Sequence, residues 1–249
     1  MDHQVIGTVM PVLEMKLDSG ESVVAESGEL SWMNGPIELS TSAGKTAGSK
    51  GVFGALKRAV GGGSLFMTEY RANGSSGMVA FATKVPGHIL PIEVGGANEY
   101  LIHRGGYLCG EPAIELSIAS QQKLGAGLFG GAGFVLQKVS GQGQAWVELD
   151  GEVVTYELAP GETMRVHPGH IGMLDATVSF TIDRIKGVKN IVFGAETLFL
   201  AALTGPGKVW LQTLPLPNLA AAINPYIVHP EAKGNGGGGS GIHFGSDND

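Results

Sequence analysis

An all-β fold, mostly strand with short helices, is what this sequence predicts, and three observations carry the expectation. Glycine accounts for 41 of 249 residues, more than twice its usual share of about 7%, as a chain of many tight turns requires. Apolar and polar residues alternate with a period of two in 152–158 and 177–182, the pattern of strands with one solvated face. Two short motifs also recur three times in the same order, so one strand–turn–strand module has been copied along the chain.

The first motif is an apolar residue, two or three polar or small residues, a turn with glycine, and a returning apolar residue. It occurs as Val24-Ala25-Glu26-Ser27-Gly28-Glu29-Leu30, as Ile102-His103-Arg104-Gly105-Gly106-Tyr107-Leu108, and as Val166-His167-Pro168-Gly169-His170-Ile171. The alignment matches Gly28, Gly106 and Gly169, and predicts a positive φ there, where only glycine is free of strain. The second motif is an apolar strand ending in a glycine turn: Leu65 to Tyr70 before Gly74, Phe134 to Gly141, and Leu198 to Gly205. Its last two copies continue as Gly141-Gln142-Gly143-Gln144-Ala145-Trp146 and Gly205-Pro206-Gly207-Lys208-Val209-Trp210. Strand, Gly-x-Gly turn and second strand read as a β-hairpin. The copies lie roughly 65–70 residues apart, the spacing of a repeat architecture.

Helical signal is confined to two places. Val52, Phe53, Leu56 and Val60 fall at helical spacing between Gly51 and Gly61, and Asn218 is placed to cap a short helix over Leu219 to Ile223. Residues 231–249, rich in glycine, cannot bury enough surface to order themselves and read as a disordered tail. The expected organisation is one domain over 1–230, with repeats at about 5–95, 96–160 and 161–228.

Composition narrows function by exclusion. Charged residues are 16% of the chain and the net charge is −7, against about 25% charged in an average soluble protein. An acidic total argues against electrostatic capture of nucleic acid, and few charges suit a surface partly covered by other subunits. Cys109 stands alone, which rules out an intrachain disulfide and a cysteine zinc cluster. The opening residues carry neither a secretory signal nor an Arg-rich presequence, and no apolar run reaches the ~20 residues of a spanning helix. A reducing cytoplasm is the expected compartment.

Three stretches carry a family likeness. They are Gly125 to Gly141, Lys57-Arg58 ahead of Gly62-Gly63-Ser64-Leu65-Phe66-Met67-Thr68, and Glu29-Leu30-Ser31-Trp32-Met33. Together they resemble the altered inheritance of mitochondria protein 24 family, whose bacterial members are called TRAP-like, and the likeness extends over about 5–228. The resemblance implies a double-stranded β-helix, a prism-like barrel of three structural repeats. It implies no activity, because the bacterial members have none assigned. The mitochondrial member's association with inner-membrane organisation does not transfer to a sequence without a presequence.

Several constellations could carry chemistry. His167 and His170, with His103 at the matching place in the second copy and Glu162 or Glu93 nearby, supply imidazole and carboxylate ligands for a cupin-like metal centre. The spacing departs from the cupin pattern, no His-x-His pair precedes it, and the first copy has Ala25 at the equivalent place. Gly44-Lys45-Thr46 lacks the strand–loop–helix context of a phosphate loop. From Leu39 to Thr68 there is no acidic residue, and Lys45, Lys50, Lys57 and Arg58 combine with Val52, Phe53 and Leu56 in a basic amphipathic segment. Such a segment suits a weak, salt-sensitive contact with an anionic membrane at about 1 kcal/mol per charge, or the cover of a β core. Trp32, Trp146 and Trp210 sit in strand patterns as core or interface residues, and Cys109 as a small buried hydrophobe.

These observations favour a non-catalytic scaffold or binding protein without a cofactor. Its expected partner is itself, as a homo-oligomer with a trimer considered. The alternatives are a metal-dependent enzyme using His167 and His170, and a small-ligand or RNA-binding module.

Overall fold

The computed structural model describes residues 1–43, 66–122, 133–184 and 199–227. Strand β1 is Asp2–Ile6. Six strands follow: β2 Val12–Leu17, β3 Ser22–Glu26, β4 Trp32–Asn34, β5 Ile37–Ala43, β6 Phe66–Ala72 and β7 Gly77–Ala82. Six more are β8 Gly87–Val94, β9 Tyr100–His103, β10 Tyr107–Gly110, β11 Ile114–Gln122, β12 Phe134–Gly141 and β13 Gly143–Asp150. The last six are β14 Val153–Leu158, β15 Thr163–Val166, β16 Ile171–Asp175, β17 Ser179–Arg184, β18 Phe199–Thr204 and β19 Gly207–Gln212, before the helix α1, Leu216–Ile223. The protein is mostly β, as the composition and alternation predict.

Within each group of six the same antiparallel pairings occur. The first and third strands pair with the sixth: β2 and β4 with β7, β8 and β10 with β13, β14 and β16 with β19. The second and fourth pair with the fifth: β3 and β5 with β6, β9 and β11 with β12, β15 and β17 with β18. The groups are then stitched together, β3 to β10 and β9 to β16. The result is two six-stranded sheets, β5-β6-β3-β10-β13-β8 and β11-β12-β9-β16-β19-β14, between smaller sheets β1-β2-β7-β4 and β15-β18-β17.

Three apolar layers separate these sheets. The first joins Leu13, Met15 and Phe81 to Val23, Leu108 and Trp146. The second joins Ile92, Val147 and Leu149 to Ile102, Val139 and Met173, and the third joins Leu136, Ile171 and Val209 to Val166, Ala201 and Leu203. Inner strands of the six-stranded sheets are therefore buried on both faces, as β10 and β16 are nearly throughout and β13 is along Ala145 to Asp150.

Three local expectations are corrected. The strand–glycine–strand motif is not a hairpin, because β12 and β13 belong to different sheets, as do β6 and β7, and β18 and β19. Gly141 has φ +106°, and a Cβ there would lie 2.1 Å from the Ala113 carbonyl oxygen. The turn packs against the neighbouring connection and carries the chain across the core, so each strand pairs elsewhere. In the first motif the positive φ belongs to Gly28 and Gly105, not Gly106, while Gly169 lies in a 3₁₀ turn, Pro168–His170. Gly106 is needed for closeness instead: a Cβ would lie 2.8 Å from His103 Nε2. Finally, α1 starts at Leu216 rather than after Asn218. Pro217 in its first turn has no N–H to leave unpaired, and no side chain caps the helix.

Candidate functional site

The sequence placed candidates in three histidines and one basic segment. Lys45, Lys50, Val52, Phe53, Leu56, Lys57 and Arg58 lie outside the described residues, as does the tail 231–249. The histidines are not brought to one place. His103 ends β9 and lines a cavity of about 350 Å³. His167 and His170 line a separate cavity of about 420 Å³. The rings of His167 and His170 meet edge-on, 5.9 Å between centroids. His170 Nδ1 donates to the Gln212 carbonyl at 2.8 Å, and His103 Nε2 donates to the Glu148 carbonyl at 3.2 Å. Each bond tethers a turn to the sixth strand of its group. Among the described residues no three His, Cys, Asp or Glu side chains converge in a metal-holding group.

At and beside the cavity next to His103, ionisable side chains gather that sequence reasoning did not find. Glu148 and Asp150 project from β13 on the face that Trp146 also uses, because residues two apart in a strand share a side. Lys84 enters from the connection between β7 and β8, and Glu29 from the turn between β3 and β4. Lys84 Nζ lies 2.6 Å from Glu29 Oε1 and 3.8 Å from Glu148 Oε1. The two carboxylate side chains are only 9% and 5% exposed, while Lys84 is half exposed. Glu29 Oε2 has no hydrogen-bond partner among the described residues. A neighbouring carboxylate, Glu26, accepts a bond from Gln137 Nε2.

Burial dominates the protonation of this set. It pushes Glu148 up to about 7, against the attraction of Lys84 and with added repulsion from Glu29 and Asp150. Burial also raises Asp150, which His103 and Lys84 partly offset, and raises Glu26. It lowers His103, favouring the neutral ring. Burial opposes charge on Lys84 too, yet Glu29, Glu148 and Glu26 hold its pKa above the ordinary value. Four carboxylates, Glu26, Glu29, Glu148 and Asp150, thus act on Lys84, a local excess of acid, and Arg104 adds its attraction at Glu26. A signal for part of this site was present in the sequence. Where the second copy has Trp146-Val147-Glu148-Leu149-Asp150, the third has Trp210-Leu211-Gln212-Thr213-Leu214, so both acids are particular to one copy.

The second unusual feature is a pair of open edges. β10 and β16 each lie between two strands and are buried throughout or nearly so. Their counterpart β4 pairs with β7 alone among the described strands and is exposed along its length. Trp32 and Met33 there are each 45% exposed. At the opposite end β15 pairs with β18 alone among the described strands, whereas its counterparts β3 and β9 each also join the next group.

Stacked antiparallel sheets define an all-β protein, and among the described residues no three potential ligands converge on a metal. The chain belongs to the mitochondrial biogenesis AIM24 family, whose pattern matches residues 3–214. An uncharacterized protein of Streptococcus pyogenes serotype M6 is 26% identical over 220 residues, 87% of each chain. The X-ray crystal structure of a Streptococcus pyogenes protein superposes with a TM-score of 0.71 at 22% identity, covering 91% of this chain and 99% of that one. That likeness speaks to the fold. No helix among the described residues is long and apolar enough to cross a membrane.

Proposed function

We propose that the protein is a non-catalytic binding scaffold of the cytoplasm, built of three copies of one six-strand unit, that joins head to tail with other copies of itself. One observation carries this. The sheet containing β4 is half of a six-stranded sheet, and the sheet containing β15 is the other half, each ending in the strand that the internal sheets pair. Unpaired edges with exposed apolar side chains are otherwise a liability that proteins cover or blunt. A contact between two different surfaces closes into a ring when its rotation allows. A trimer is the number under test.

The internal junctions supply the register. Cys109 pairs with Ala25 and Gly110 with Val24, while Met173 pairs with Ile102 and Leu174 with Leu101. Trp32 occupies the place of Cys109 and Met173, because it faces Ala80 as they face Trp146 and Trp210. Val166 occupies the place of Ile102, since it faces Ala201 as Ile102 faces Gln137. The junction between chains therefore sets Trp32 against Val166 and Met33 against Arg165.

The test is a double variant, Met33→Cys with Arg165→Cys, under mild oxidation. Disulfide-linked oligomers are expected, with neither single variant giving more than dimers. Light scattering of the unmodified protein should return a mass of several chains. A monomer at micromolar concentration, or an oligomer whose cysteine pair never links, would overturn the proposal.

A further inference from the structure

The cavity between β13 and the turn after β9 has charge chemistry that a self-assembling scaffold does not need. Its wall includes the apolar side chains of Phe134 and Val135, the acids Glu148 and Asp150, and the bases Lys84, His103 and Arg104. At about 350 Å³ it falls in the ~300–1,000 Å³ range of small-molecule sites.

Asp150 is the informative residue. It is 7% exposed, its backbone N–H is bonded to Gln212 Oε1 at 3.0 Å, and its carboxylate accepts no hydrogen bond from any described residue. Its oxygens, unlike Glu29 Oε2, are not sealed from solvent, so they face the cavity rather than the core. Its interactions with His103 and Lys84 act through space only. Lys84 is turned towards Glu29 at 2.6 Å and stands 3.8 Å from Glu148, so Glu148 too is incompletely compensated. His103 gives its Nε2 proton to the Glu148 carbonyl rather than to a carboxylate.

We infer that this cavity binds a small organic cation, a primary ammonium carried on an apolar body, with Asp150 and Glu148 receiving the N–H groups and the Phe134–Val135 wall receiving the body. An ammonium supplies three donors and one positive charge, which the bare Asp150 carboxylate and the local excess of acid lack. A divalent metal fits less well: Glu148 and Asp150 are the only acids among the described lining residues, and Lys84 stands beside them. A carboxylate ligand would meet Glu148 and Asp150 as like charges, with Lys84 already engaged by Glu29 and Arg104 as its one other fixed cation among the described lining residues.

Calorimetric titration with hexylamine, hexanoate and hexanol separates charge from apolar contact. Hexylamine is expected to bind and raise the melting temperature, while hexanoate and hexanol leave both signals flat. Asp150→Asn should weaken hexylamine by about tenfold or more, the loss of one buried charge-assisted contact, without changing the oligomer's mass. Glu148→Gln serves as the second variant, with a smaller loss in the same direction. Equal response to hexanol, no heat at millimolar hexylamine, or undiminished affinity in both variants would overturn the inference.

Discussion

Replacing Glu148 by Gln should stabilise the protein at alkaline pH and leave it nearly unchanged in acid. The side chain is 5% exposed, and burial raises its pKa from 4.5 to about 7. At about 1.4 kcal/mol per pH unit of displacement, that rise amounts to roughly 3 kcal/mol. The sign follows from proton counting. Between pH 4.5 and 7 the folded chain keeps a proton on Glu148 that the unfolded chain has released. Stability from this group therefore falls as pH rises through that window, and is level below and above it. The amide of the Glu148→Gln variant cannot titrate and still offers Lys84 an oxygen. The stability difference between variant and parent should grow by about 3 kcal/mol from pH 4 to pH 8. Urea unfolding at fixed protein concentration, repeated across that range, reads the difference directly. A difference that stays flat with pH, or that shrinks as pH rises, refutes the assignment of Glu148 as a buried, undercompensated carboxylate.

Other substitutions test the surroundings. Lys84→Met leaves Glu29 and Glu148 facing each other without a cation; after allowance for the exposure of Lys84, unfolding should become easier by about 2 kcal/mol at pH 8, with recovery on acidification. Gly141→Ala puts a Cβ against the Ala113 carbonyl at a φ of +106°, and should cost about 2–3 kcal/mol in urea, whereas Gly20→Ala, with φ +90° and open space around its Cβ position, should cost less. Cys109 is inaccessible and its thiol is pushed well up by burial, so an aromatic disulfide reagent should modify it only as fast as the chain opens. A rapid reaction in the folded state would show that β10 is not enclosed.

How much of this was legible beforehand can be traced residue by residue. Gly28, Phe134 and Trp146 marked turns and strands, because turn chemistry and apolar character are properties of a few neighbouring residues. The burial of Cys109 was equally local, since an apolar strand surrounds it. Asp150 and Glu148 were overlooked because nothing adjacent in sequence marks them as buried; Lys84 and Glu29 come from separate connections 55 residues apart. The histidines attracted notice for their spacing, yet His103 lies on a different cavity from His167 and His170.

By itself the sequence determined the all-β class, the places of the turns and the family. Each of these rests on short-range periodicity and on which residues tolerate a given φ. Strand partnership was decided by the tertiary structure, which separated β12 from β13 and joined β9 to β16. Hydrogen bonds between strands are non-local, so a pattern of apolar residues announces a strand without naming its neighbour. The same packing put Asp150, Glu148 and Lys84 around one cavity, where exclusion of water, more than residue identity, sets their charge.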